Sequence, residues 1–230
     1  MGEKIRRKAL LILSCVLMLE AVGIRHVPNF QRVGLILYAA GMLAMYAMTL
    51  RRKIKGLAVN ENDFMPFLFG AGLLAIEVRR YDFGEEGKLW LWIIIISLLL
   101  ALPLLLAERR VPSGKAGDNK YWMRAITIVF LIVLSCFNWV YATNVAFDTS
   151  EGTATTGVIT RKRVEKGTKH RMSYYLEVSQ PLTNETNTFS VSKSDYNRYD
   201  EQRVVTVTEH DGFWGAPYYE VELPKPQKEN

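Results

Sequence analysis

Residues 125–147, AITIVFLIVLSCFNWVYATNVAF, place the tightest constraint on what this chain can become. These 23 residues carry no charged side chain. They exceed the roughly 20 that an α-helix needs to cross a hydrocarbon core of about 30 Å. Tyr121 and Trp122 stand before the run, and Trp139 and Tyr141 lie near its far end. Amphipathic rings favour those positions because one side of each is apolar and the other wet. Downstream the character changes, and about 80 residues alternate polar and apolar in the manner of strands. The run therefore joins a membrane half to a water-facing half.

Four further apolar runs precede it. Lys4, Arg6, Arg7 and Lys8 lead into a stretch that predicts a first helix over about residues 7–24, with Glu20 near its far end. The same pattern fits a signal peptide, and the sidedness downstream is equal in both cases. Helices are expected over 33–50, 63–78 and 89–107, and the opening run extends to 124–147. In the second, Ala40, Gly41, Ala44 and Ala47 are small residues at spacings that let helix backbones approach closely in lipid. The third is short, since the 15 residues from Phe64 to Val78 rise only about 22 Å. Trp90 and Trp92 mark one boundary of the fourth, and Pro103 predicts a kink near the other. Both cysteines, Cys15 and Cys136, fall within expected helices. That excludes a disulfide framework or a thiolate metal site from the water-facing half.

Charge sets the sidedness. From Asp148 onward the chain holds 11 Lys/Arg against 13 Asp/Glu, so the net charge of +6 arises entirely in the first 147 residues. An excess of basic charge beside apolar runs is a topology signal before it is a nucleic-acid signal, and no nucleic-acid partner is expected. With the N-terminus inside, the inner segments collect 13 basic residues: Lys4, Arg6, Arg7, Lys8, Arg51, Arg52, Lys53, Lys55, Arg109, Arg110, Lys115, Lys120 and Arg124. The outer loops collect five: Arg25, Arg32, Arg79, Arg80 and Lys88. Positive residues concentrate on the cytoplasmic side, which predicts five spans in the plasma membrane, a cytoplasmic N-terminus and an extracytoplasmic C-terminal domain. Failure of one short span would reverse that last assignment.

Residues 148–224 read as five short strands, about Thr155–Arg163, Met172–Val178, Thr188–Val191, Arg203–Thr208 and Tyr218–Leu223. A single helical turn is expected over Ser192–Tyr199, capped by Ser192 with Asp195 three residues on. Asp211-Gly212 supplies a turn, and residues 225–230 read as a flexible tail. The expected fold class is a membrane α-helical bundle of about five helices plus a small all-β domain. Five short antiparallel strands with one helical turn suit a barrel of OB or SH3-like kind.

The succession of a membrane helix, TGVIT, YYLEV, FSVSKSDY, VVTV and DGFWG resembles uncharacterised bacterial multi-pass membrane proteins. Those proteins carry a small extracytoplasmic β-barrel, a domain of unknown function, after their helices. The resemblance covers about residues 145–223, and it implies a fold and a location rather than a chemistry.

Catalytic signals are missing from the sequence. His26, His170 and His210 are isolated, with no metal-ligand spacing, and no GxSxG, SxxK or phosphate loop occurs. Neither enzyme activity nor a cofactor is expected. Three groups of residues remain as candidate sites. Glu20, Glu77 and Asn138 form a possible intramembrane polar site, because a carboxylate within a span is costly and asks for a role. The plainer account pairs Glu77 with Arg80 among the headgroups and gives Asn138 a hydrogen bond between helices. Arg161, Lys162, Arg163, Lys166, Lys169 and Arg171 crowd one hairpin and could contact an anionic surface, or could simply blunt an edge strand. Phe213, Trp214, Tyr218 and Tyr219 cluster at the last turn as possible partner-binding aromatics or as barrel core. Two functions follow. One is a non-catalytic membrane protein whose external β-domain binds a protein partner or envelope component, as an accessory subunit or an immunity-type protector against a membrane-active toxin. The other is a small transporter or channel component using Glu20, Glu77 and Asn138.

Overall fold

The computed structural model describes residues 31–55, 81–110, 120–167 and 172–224. The chain forms two compact units, one of Met1–Glu77 and Gly87–Ala146, the other of Val78–Glu86 and Phe147–Asn230. The helices expected over 7–24 and 63–78, the carboxylates Glu20 and Glu77, Lys169, Arg171 and the tail lie outside the described residues.

In the first unit α1 (Gln31–Ile54), α2 (Glu86–Arg110) and α3 (Lys120–Ala146) are each long and apolar enough to cross a membrane. Each contains the span expected there, except that α3 stops one residue sooner, at Ala146. Leu35, Tyr38, Met42, Thr49 and Lys53 are buried on α1, and Leu89, Ile93, Ser97, Ala101, Leu104 and Glu108 on α2. Most of these lie three or four residues apart, so each set forms one stripe on its helix. The small residues of α1 are not that stripe: among the described residues Ala40, Ala44 and Ala47 are exposed. Tyr46 donates its hydroxyl to the Leu100 carbonyl at 2.9 Å, and Lys53 pairs with Glu108, so α1 and α2 run parallel. Arg32 Nε donates to the Ala146 carbonyl at 2.6 Å, so α1 and α3 run antiparallel. That carbonyl is one of the last four of its helix, which have no partner within the helix itself. The α2 helix continues through Pro103.

The second unit is a six-stranded antiparallel sheet. Its strands are β1 (Asp82–Phe83), β2 (Thr153–Lys166), β3 (Met172–Gln180), β4 (Glu185–Val191), β5 (Val204–His210) and β6 (Tyr218–Glu222), in the order β1-β6-β5-β2-β3-β4. Five strands occupy the expected places. The sixth corrects the expectation, because β1 comes from the link that leads into α2 and pairs Asp82 with Tyr219 and Phe83 with Tyr218. Two residues carry no alternation, so no sequence pattern announces such a strand. The Asp82 carboxylate also accepts the Thr188 amide of β4 at 3.0 Å, joining the two outer strands into a nearly closed barrel. A short helix, α4 (Lys193–Arg198), has the expected cap, with Ser192 Oγ accepting the Asp195 amide at 3.0 Å.

Alternation along each strand sends Ile159, Leu176, Val178, Phe189, Val205, Val207 and Tyr219 inward, where they form one core with Tyr199. Gly157 faces the same interior. A Cβ there would lie 2.5 Å from Val178 Cγ1 and 3.0 Å from Val207 Cγ2. A close approach of neighbouring chains is a usual reason for glycine within a strand. Tyr218 points to the opposite face and is buried too, beneath Tyr81 at 5.4 Å and the His210 ring stacked at 4.8 Å. The link that supplies β1 therefore covers an outer face that would otherwise be wet.

The long strand β2 changes partners along its length. It pairs with β5 only from Thr153 to Val158, and its register against β3 shifts between Ile159 and Arg161. Ile159 closes the shared part by donating to the Arg203 carbonyl at 3.0 Å and accepting the Gln202 amide at 2.7 Å. Gln202 is held at φ 67°, a left-handed conformation uncommon outside glycine. From Arg161 to Lys166 the strand continues beside β3 alone, as one half of a two-stranded arm.

Candidate functional site

The arm carries the basic residues singled out in the sequence. Between Arg161 and Lys166 four basic side chains stand against one acidic, Glu165. They are not all loose in solvent. The Lys162 ammonium lies 4.5 Å from the centre of the Tyr196 ring, and the Arg163 guanidinium 5.3 Å from that of Tyr175. Each such contact contributes about 0.5–1 kcal/mol at an exposed site, enough to orient a charge that would otherwise wander. Arg163 also lies 3.3 Å from Glu165. Lys162, Val164 and Lys166 alternate onto one face with Tyr174 and Met172 opposite, while Arg161, Arg163 and Glu165 take the other face. The Lys162 amide donates to Glu201 Oε1 at 3.1 Å and so points away from β3. The ladder from Arg161 to Lys166 has no further break, so the amides of Val164 and Lys166 point the same way. Among the described residues no strand pairs there.

At the other end of β2 the barrel interior becomes polar. Gln180 donates to Asn187 at 2.7 Å and accepts from the Thr155 hydroxyl at 2.6 Å, so these buried amides hold one another across three strands. The Tyr219 hydroxyl lies 3.4 Å from both Glu185 and Glu209. Its ionisation is pushed up to about 12, first by burial and then by the charges of Glu209 and Glu185. Glu185, Glu209 and Asp82 are thus occupied with Tyr219 and Thr188, which makes them fasteners of strand ends.

Beside this end Asp148, with its side chain 7% exposed, accepts the Ser150 amide at 2.9 Å and the Ser150 hydroxyl at 2.8 Å. His210 Nδ1 lies 3.8 Å from the same carboxylate. Burial alone would raise the Asp148 carboxyl. Hydrogen bonds from Ser150 and Gly212, with His210 nearby, outweigh it and hold the group below its ordinary value. Burial and the charge of Asp148 push the Tyr218 phenol well above its usual range. Serine, histidine and aspartate meet here without forming a nucleophile and its base. Ser150 gives its proton to Asp148 rather than to His210, whereas nucleophilic catalysis needs the base on the hydroxyl.

The Asn138 Nδ2 donates to the Leu134 carbonyl of its own helix at 2.8 Å, and its buried Oδ1 has no hydrogen-bond partner among the described residues. The aromatic cluster is divided, since Tyr218 and Tyr219 are buried on opposite faces of β6 while Phe213 is 54% exposed and packs edge-on to Trp214. Of these four only Phe213 is exposed, with Trp214 half-buried. Sequence reasoning missed the pair Lys53–Glu108. Lys53 counts there as a loop cation, yet it is buried against Glu108, which is 1% exposed. The available signal is spacing, because Glu108 continues the stripe from Ala101 and Leu104. His210 gave no signal at all, its carboxylate partner being 62 residues away.

Among the described residues no group of three or more His, Cys, Asp or Glu could hold a metal ion. No protein family, curated protein or solved structure matches the chain.

Proposed function

We propose that the chain is a non-catalytic, multi-pass plasma-membrane protein, akin to the uncharacterised bacterial proteins that its β half resembles. Its β unit lies outside the cytoplasm and binds another protein or an envelope component, as an accessory subunit or an immunity-type protector against a membrane-active toxin. The observation that carries the location is the shared sheet. The link at Asp82–Phe83 and the C-terminal half form one β unit, so the start of α2 and the end of α3 open to the same compartment. The bundle supports the same arrangement. α1 and α2 run parallel, and the sequence between them holds the further span expected over 63–78. With 13 basic residues on one side and five on the other, the β unit falls outside.

The binding role is supported by the basic arm, which the barrel core does not require. Of the residues of the transport alternative only Asn138 is described, and it donates within its own helix while its buried Oδ1 has no hydrogen-bond partner among the described residues. A single cysteine at Thr183, exposed in the turn between β3 and β4, tests the location. It reacts with a membrane-impermeant thiol reagent in intact cells at a level above the parent chain. Labelling that requires lysis would overturn the external assignment.

A further inference from the structure

We propose that the edge of β2 beyond Lys162, from Arg163 to Lys166, receives an acidic, extended segment of a partner protein, which adds to the arm as a third strand. This rests on the binding role proposed above and specifies its mode. An antiparallel ladder leaves alternate amides and carbonyls pointing outward, and here the outward set belongs to Lys162, Val164 and Lys166. β5 covers that side of β2 only as far as Val158. The free stretch spans about 13 Å, within the range of short strands. Main-chain hydrogen bonds along such an edge give affinity, and alternate side chains select the sequence.

Three features select acidity. Lys162 and Lys166 flank Val164 on one face, and Arg161 and Arg163 occupy the other. Glu201 has already placed a carboxylate on the first outward amide, so the edge accepts an anionic acceptor from within its own chain. A second copy of this arm would set four basic side chains against four, a repulsion that disfavours self-pairing. Lysines on an edge strand ordinarily guard it against indiscriminate pairing. Here the same guard admits a partner of opposite charge, and half-exposed Val164 and Met172 offer it apolar contact.

The full chain in neutral-lipid nanodiscs provides the test. The probe is a synthetic decapeptide alternating Glu with Val, compared with one methylated on alternate backbone nitrogens. The unmodified peptide should bind at low salt, slow hydrogen exchange at the Val164 and Lys166 amides, and lose affinity as screening rises. The methylated peptide should not bind. Lys162→Glu with Lys166→Glu should weaken binding about tenfold or more, with exchange in the β3–β4 ladder unchanged as proof of folding. Binding without amide protection, binding indifferent to the double variant, or no binding would each overturn the proposal. Protection of the arm by anionic nanodiscs in place of peptide would assign it to a lipid surface and overturn it as well. Thr183 labelling in intact cells together with a failed peptide would sink the edge alone, whereas labelling only after lysis would sink the external binding role beneath it.

Discussion

The two units of this chain expose opposite things. In the helical unit many of the exposed residues are large and apolar, such as Leu98, Leu99, Leu102, Ile126 and Phe130, while Thr49, Lys53, Ser97, Glu108, Asn138, Thr143 and Asn144 are buried among an apolar stripe. In the β unit the described interior is apolar apart from Gln180 and Asn187, and exposed large apolar residues are few and scattered. One polypeptide thus obeys two solvents. In lipid an outward leucine costs nothing, so polar groups gain by turning inward to find partners. In water the gain comes from burying apolar area, at about 25 cal/mol per Å².

The largest effects should come from the deepest residue of each kind. Glu108→Ala removes the carboxylate that faces the buried Lys53 and should cost about 3–5 kcal/mol, read from thermal unfolding in detergent micelles. Combining Lys53→Met with Glu108→Leu should recover most of that loss. Phe189→Ala should cost a similar 3–5 kcal/mol for a different reason, the cavity it leaves in the barrel core. A double variant that stayed as unstable as Glu108→Ala would show that the helical interior needs the charges themselves. The next effect distinguishes the two solvents. Leu99, 70% exposed near the middle of α2, should cost about 2.5–3.5 kcal/mol on conversion to Lys. Val204→Lys, at a comparably exposed strand position, should change stability by less than about 0.5 kcal/mol. Equal effects at the two sites would abolish the contrast.

Smaller effects test the polar end of the barrel. Asp82→Ala removes the acceptor of the Thr188 amide and should cost the β unit about 1.5 kcal/mol, measured by hydrogen exchange of β4. Least of all is the acid response of Asp148. Its carboxyl is held low in the folded state, so its contribution is complete above the unfolded value of about 3.9 and fades as pH falls through the folded value. Asp148→Asn should therefore flatten the loss of stability below about pH 4, seen in urea midpoints collected between pH 3 and 6. An unchanged slope would mean that Ser150 and Gly212 hold the turn without the charge.

Long elements were legible in the sequence because their patterns repeat. The three described helices exceed the expected spans by a few residues at most ends, since apolar counting stops at Arg51, Glu108 or Arg124 while the backbone continues. Strand alternation gave β2 to β6, though not the shift after Ile159, which depends on a loop 40 residues later. The polar sites were illegible for the same reason. Lys53 meets Glu108 and Asp148 meets His210 across 55 and 62 residues, separations at which no local period survives. The basic arm was visible as composition, but its free edge is a property of where β5 ends.

The two-residue strand β1 has a consequence for how the chain is made. Asp82 is synthesised 137 residues before its partner Tyr219, an interval on the order of ten seconds at 5–20 residues per second. In the proposed topology α2 and α3 are both threaded during that wait, each carrying the chain through the bilayer once. The barrel can close only if those crossings return it to the compartment where β1 is waiting. A missed crossing would strand β1 and β6 on opposite sides and leave Tyr218 without Tyr81 and Phe83. The open edge would then be exposed to proteases. In that topology closure of the sheet would act as a checkpoint on insertion, turning an error of membrane topology into a folding defect.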